Sequence, residues 1–225
     1  EKWVLKDFSL KVEPGESIAF VGDSGAGKST VLNLLIGFIP PVNGKILIDR
    51  INMVNLDLNE YRHQIAVVPQ NTILFSGTII DNIAYGLKDV SEADVWEVIR
   101  KVGLEDLVEK LPEGLHTQLG EHGDKLSGGQ RQRISIARAL IRKPKIIVFD
   151  EATSALDSVS EKKVQEATNE MMKNCTTFLV AHRLSTIQNA DRIAVMKEGH
   201  IVEIGSYEEL MEKKGYFYEL KSLQS

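Results

Sequence analysis

Two short stretches of the 225-residue chain carry residue types at spacings that can do chemistry. Gly22-Asp23-Ser24-Gly25-Ala26-Gly27-Lys28-Ser29, followed by Thr30, fits G-x-x-x-x-G-K-[ST] at every fixed position. Glycines let the backbone wrap an anion without Cβ clashes, and the inward-pointing N–H groups make a nest. The helix that follows adds its positive end. Such a loop takes the phosphates of a nucleoside triphosphate: Lys28 would reach the β and γ phosphates, and the Ser29 hydroxyl would bind Mg2+. The second stretch, Ile146-Ile147-Val148-Phe149-Asp150-Glu151, is an apolar run ending in two acids. Asp150 suits the task of helping to hold the magnesium. Glu151 is the candidate general base for an attacking water, a role worth about 10²–10⁴-fold. Read alone, the pair fits two solvated acids at a strand end equally well.

The elements that must position these residues alternate between β-type and helical runs, the pattern of an α/β protein. Ser17 to Val21 reads as a buried strand feeding the glycine-rich loop, and Lys28 to Phe38 as a helix stopped by Gly37 and Pro40-Pro41. Lys45 to Asp49 and Ile65 to Val68 read as strands. Ser91-Glu92-Ala93-Asp94 predicts a capping box, with Val95, Val98, Ile99 and Val102 at helical spacing and Gly103 just past the end. Another short helix is predicted over Glu105 to Lys110. From about Ile80 to Lys143 the signals are helical, without a convincing strand. Strands resume at Ile146 to Phe149, Thr177 to Ala181, Arg192 to Lys197 and His200 to Ile204. The last two flank a hairpin turn at Glu198-Gly199. The tail from Tyr207 to Leu223 reads as helix broken at Gly215.

Composition limits the function classes. Lys and Arg total 27 against 32 Asp and Glu, a formal charge of −5, and an acidic chain makes a poor general nucleic-acid binder. The single cysteine, Cys175, excludes an intramolecular disulfide framework and a multi-cysteine zinc site. No apolar run approaches the roughly 20 residues that span a bilayer. The chain opens Glu1-Lys2-Trp3, with neither an initiating Met nor a signal peptide, and is expected to be an excised domain or processed fragment.

Leu126-Ser127-Gly128-Gly129-Gln130 points to a family. This LSGGQ is the signature of ATP-binding-cassette (ABC) ATPases, and the chain resembles the nucleotide-binding domain of an ABC transporter. The family's motifs occur in the family's order: Gly22 to Thr30, a Q-loop glutamine at Gln70, the signature, the acidic pair Asp150 and Glu151, a D-loop at Ser154-Ala155-Leu156-Asp157, and a switch histidine at His182. The segments Ile73 to Ile79, Asp81-Asn82-Ile83, Gly120-Glu121-His122-Gly123, Glu151 to Asp157 and Ala181 to Thr186 are similar to the exporter branch.

That resemblance implies a fold: a P-loop NTPase core with a mixed, largely parallel sheet flanked by helices, an inserted helical subdomain and an antiparallel β element. One domain is expected over 1–225, with the core at about 1–79 and 144–225 and the signature subdomain at about 80–143. It also implies a function, ATP binding and hydrolysis that power an exporter. Ser127 would start a long helix whose N-terminus carries about half a positive charge and several free N–H groups. In the family this end faces the nucleotide of a second domain, so two domains pack head to tail and each pocket borrows Ser127, Gly128 and Gly129 from its neighbour, with Gln130 completing the signature. Gln70 would contact Mg2+ or the water, Asp157 would lie at the dimer seam, and His182 would reach the γ-phosphate. The implied cofactors are ATP and Mg2+. The implied partners are a transmembrane domain, docking near Gln70 and Asn71 to Phe75, and a second nucleotide-binding domain, with no nucleic acid. The implied place is the cytoplasmic face of a membrane. His63, His116, His122 and His200 lack such support and receive no chemistry.

Two departures stand out. The aromatic residue on which the family stacks adenine lies upstream of Val4-Leu5, so this residue and the first strand are expected to be missing; Trp3 lies too close to the strand. Base stacking contributes on the order of 1–3 kcal/mol, so ATP affinity would fall by about tenfold or more. Arg50 stands where many relatives carry Gly in a turn. Two rival readings are a soluble ABC ATPase and a cassette that binds ATP without turnover. The short interval from Gln70 to Ser127, which leaves no room for a coiled-coil arm, opposes the first. The intact Lys28, Glu151 and His182 oppose the second.

Overall fold

A computed structural model describes residues 3–120, 123–124, 126–150, 165–166, 168–173, 175–180 and 187–222. Its frame is a six-stranded sheet in the order β4-β5-β6-β1-β7-β8. These strands are β1 (Ser17–Gly22), β4 (Ile65–Val68), β5 (Ile146–Asp150), β6 (Thr176–Val180), β7 (Arg192–Lys197) and β8 (His200–Gly205). β4 through β7 run parallel to their neighbours, and only β8 turns back antiparallel, on β7. Parallel strands are covered on both faces and so read as nearly continuous apolar runs. Here Ile18, Ala19, Phe20, Ile147, Val148, Leu179, Ile193 and Ala194 are all fully or almost fully buried.

Alternation along the strands builds two cores. Ile18, Phe20, Val148, Phe178, Ala194 and Met196 face one side, under α1 (Lys28–Leu35) and α2 (Leu58–His63). Ala19, Val21, Ala66, Val68, Ile147, Phe149, Ile193 and Val195 face the other. That second core continues into α3 (Ile79–Ile83), α4 (Glu92–Lys101), α5 (Glu105–Lys110) and the long α6 (Gly128–Ile141). It also takes up Leu210 of α7 (Tyr207–Lys213) and Phe217 of α8 (Tyr216–Ser222). The described residues between α3 and the start of β5 add no strand to the sheet; their one bridge joins Thr78 to Gln118. The α/β class with a largely parallel sheet and separate antiparallel strands is therefore the one expected.

Several predicted bounds hold, β1, β5, β6 and β8 move by one residue, and two elements shift further. β4, α5 and β7 lie where the pattern puts them, and Ser91 forms the expected capping box with Asp94. α1 ends at Leu35, short of Phe38. Gly37 sits at a φ of 74°, and the N–H groups of Gly37 and Phe38 return to the carbonyls of Leu34 and Asn33, which closes the helix before the prolines act. The strand predicted over Lys45 to Asp49 shrinks to β2 (Leu47–Ile48), which pairs only with β3 (Ile51–Asn52) in a small separate hairpin. Its two turn residues, Asp49 and Arg50, both take left-handed backbone. Such a turn matches the twist of a two-residue hairpin.

Candidate functional site

The glycine-rich loop joins the central strand β1 to α1, with its apolar end packed and its polar rim open. Ala26, Gly27 and Lys28 are buried, whereas Asp23, Ser24, Gly25 and Ser29 are exposed and Gly22 and Thr30 are half-buried. Gly22 has no substitute here: a Cβ would stand 2.1 Å from the carbonyl oxygen of Met196 on neighbouring β7, and its φ is 144°. That close approach seats the loop on β7. Gly27 caps α1 with a φ of 103° and no side-chain bond, so the first helical N–H groups stay open to a ligand. The Lys28 ammonium reaches back over the loop and donates to the carbonyls of Gly22 at 2.7 Å and Asp23 at 2.9 Å. A cation buried against the loop, beside a helix N-terminus, makes an anion cradle.

Strand register gathers the remaining groups. Val68 of β4 pairs with Phe149 of β5, and Asp150 pairs with Val180 of β6. Since all three strands run parallel with β1, Gln70, Asp150 and the start of the loop at Gly22 emerge at the same carboxyl-terminal edge, where ligands bind in open α/β sheets. Gln70 is exposed, and Asp150 is half-buried. The hydroxyl of Ser29 and the carboxylate of Asp150 are hard oxygen donors of the kind Mg2+ prefers. Among the described residues no cluster of three His, Cys, Asp or Glu forms a metal site of its own. A magnesium held here would thus rely on phosphate oxygens as well.

Ser127 caps α6. Its Oγ accepts the N–H of Gln130 at 3.2 Å, and Gln130 Oε1 accepts the N–H of Ser127 at 2.8 Å. Gln130 is thus absorbed in the cap. Ser127 and Gly128 are exposed, and helix geometry leaves the N–H groups of Gly128 and Gly129 without intrahelical acceptors. Arg131 steadies the approach by donating to the carbonyl of Leu126 at 2.6 Å.

Residues to which the sequence reading gave no linking role tie these parts together. Asn82 is buried and holds the backbone of Phe75 at both N–H (2.9 Å) and carbonyl (3.0 Å). Arg138 of α6 donates to the Asn82 carbonyl at 2.7 Å, to Asn82 Oδ1 at 3.0 Å and to the Ile73 carbonyl at 3.2 Å. Its guanidinium lies over the Phe75 ring, and burial lowers its pKa. The segment after Gln70 is thereby bound to the helix that begins at Ser127. A second unforeseen contact comes from Tyr216, whose hydroxyl donates to the carboxylate of Asp23 at 2.5 Å. Both pairs are far apart in sequence, and no local period announces them. Glu151, Asp157 and His182, with Glu121, His122 and the segments 151–157 and 181–186, lie outside the described residues.

Comparisons with known proteins identify the family. Residues 5–154 match the ABC transporter family profile. The chain is 51% identical over 223 residues to the ABC-type transporter fsqE of Aspergillus fumigatus, covering 98% of this chain and 17% of that protein. It is 49% identical to the ATP-dependent lipid A-core flippase of Syntrophus aciditrophicus, covering 98% of this chain and 37% of the flippase. Among solved structures, a bacterial Atm1-family ABC exporter with ATP bound superposes with a TM-score of 0.93 at 40% identity, over 99% of this chain and 39% of the exporter chain. The chain thus spans well under half the length of each of these relatives. With an open phosphate loop, a strand-end acid and a capped signature helix in one family frame, the chain belongs to the ABC transporter family, as an ATP-binding domain of the exporter type.

Proposed function

We propose that this chain is the ATP-hydrolysing motor of an exporter, and that two copies, or this copy and a related one, close head to tail around two ATP molecules. The observation that carries the reading is that one chain exposes both an open phosphate loop and a capped helix start with the signature residues. The phosphate loop, Gln70 and Asp150 open at one sheet edge, while α6 begins with exposed Ser127 and Gly128; helix geometry leaves the N–H groups of Gly128 and Gly129 without intrahelical acceptors. Gly22 to Thr30 would wrap the triphosphate, with Lys28 on its β and γ oxygens. Ser127, Gly128 and Gly129 of the partner subunit would close the pocket, as an activating group supplied in trans.

Hydrolysis then needs a water in line with the γ-phosphorus. Glu151 takes a proton from the water as its oxygen bonds to phosphorus, and the bond from phosphorus to the β–γ bridging oxygen breaks. His182 and Gln70 orient the γ-phosphate and the water, and Asp157 joins the two copies. Mg2+ held with the help of Ser29, Gln70 and Asp150 would neutralise charge on the phosphates. One domain is proposed over 1–225, its core at about 1–79 and 144–225 and its signature subdomain at about 80–143.

The membrane partner is proposed to dock on the segment after Gln70. Ile73, Phe75 and Tyr85 are exposed there, and the Phe75 and Tyr85 rings stack at 4.3 Å. No helix among the described residues is long and apolar enough to cross a membrane, so the proposed partner supplies the spans and holds this domain at the cytoplasmic face. The test is Glu151→Gln in the full-length protein. ATP binding is expected to persist while steady-state phosphate release falls about 10²-fold or more. Hydrolysis at the wild-type rate would remove Glu151 as the base.

A further inference from the structure

Asp23 is the first variable residue of the phosphate loop, and two parts of the molecule hold it. Its carbonyl accepts the Lys28 ammonium and, at 3.1 Å, the N–H of Ala26. Its carboxylate accepts the hydroxyl of Tyr216, 193 positions away at the start of α8. Tyr216 itself is held from several sides. Both oxygens of Glu203 on β8 accept from the start of α8, one the N–H of Tyr216 and the other that of Phe217, each at 2.9 Å. Phe217 is buried edge-on against Tyr207, with ring centroids 5.8 Å apart. The Lys197 ammonium, at the end of β7, lies 4.4 Å from the centre of the Tyr216 ring. β7 pairs with β1, and Gly22, the last residue of β1, opens the loop. The frame that carries the loop therefore also carries the hydroxyl that holds it. The bond to Asp23, with some burial, pushes the Tyr216 hydroxyl up to about 12, so it stays a protonated donor at neutral pH.

Asp23 brings a negative charge into a loop built for a polyanion. A carboxylate free to swing toward bound phosphates repels them, whereas one held on a hydroxyl outside the loop does so less. We propose that Tyr216 is a positioning residue for nucleotide binding: it turns the Asp23 carboxylate toward α8 and off the triphosphate, so that the C-terminal helix sets the affinity for ATP. The proposal rests on the reading that the loop holds ATP.

The test is a double-mutant cycle in the full-length protein, with the Kd for Mg-ATP at equilibrium and kcat and KM for hydrolysis as readouts. Tyr216→Phe keeps the ring under Lys197 and the bonds to Glu203. It is expected to weaken ATP binding about fivefold and raise KM in step, with kcat unchanged. In an Asp23→Asn background the same change is expected to leave Kd unaltered, because the charge it restrains is gone. Tyr216→Phe binding like the wild type overturns the proposal. So does an equal loss in the Asp23→Asn background, which marks a role in packing alone. Lys28→Ala separates the two levels: if it binds ATP as tightly as the wild type, the phosphate-loop reading fails and takes the proposal with it. If Lys28→Ala loses binding and Tyr216→Phe does not, only the latch fails.

Discussion

Asn82 uses its full hydrogen-bonding capacity while 1% exposed. Its amide donates to the carbonyls of Phe75 and Thr78, and its oxygen accepts from the Phe75 N–H and the Arg138 guanidinium. Truncation would leave buried groups unpaired, which costs more than the bonds contribute. Asn82→Ala is expected to destabilise the protein by about 2–4 kcal/mol, read as a lower midpoint in urea unfolding. Arg50 tests the opposite direction. It holds a φ of 68° in the β2–β3 turn, where a side chain strains the backbone. Arg50→Gly is expected to stabilise by about 0.5–1 kcal/mol, seen as a higher Tm, with ATPase activity unchanged. The turn was legible in the sequence at Arg50. The role of Asn82 was not, because its partner Arg138 is 56 positions away and only the packed helices bring the two together.

Helix starts were the most legible elements, since a capping box is local. Ser91–Asp94 could be read directly, and Thr78–Asp81, Ser127–Gln130 and Ser206–Glu209 repeat the device. Its carboxylates give a pH signature. The Ser91 hydroxyl and N–H hold the Asp94 carboxyl below its ordinary value, and Thr78 does the same for Asp81. A carboxyl whose folded pKa lies below its unfolded one stabilises above the unfolded value, about 4, and loses that contribution as pH falls through the folded value. Thermal melts of wild type and Asp94→Asn are expected to converge as pH drops from 6 to 3. A carboxamide that stayed equally far below the wild type at both ends would contradict this. The extents of α1 and β2 were less legible, because a C-terminal glycine motif and pairing partners decide them rather than hydrophobic pattern. Gly199 closes the β7–β8 turn at a φ of 88°, and its added Cβ would lie 2.2 Å from the Val4 carbonyl. The N–H of Lys6 donates to the Gly199 carbonyl, and the N–H of Gly199 donates to that of Ala26. Gly199→Ala is expected to detach residues 4–6 from the loop's flank, seen as faster hydrogen exchange at Lys6 and a lower Tm.

At the scale of the whole molecule, the sheet order explains why the frame could be read from hydrophobic pattern while the assembly of the site was expected only through the family resemblance. Each apolar strand could be recognised alone, but only the register puts Gly22, Gln70 and Asp150 at one edge. The same order bears on manufacture. β1 comes first among the described strands yet lies inside the sheet, between β6 and β7. A nascent chain that has emerged only as far as Pro144 therefore carries the phosphate loop on a strand with neither neighbour made, and long-range parallel pairing of this kind is slow and exposed to aggregation. Translation stalled at that point yields a protease-sensitive loop, and protection of Lys28 arrives only once Lys197 has left the ribosome.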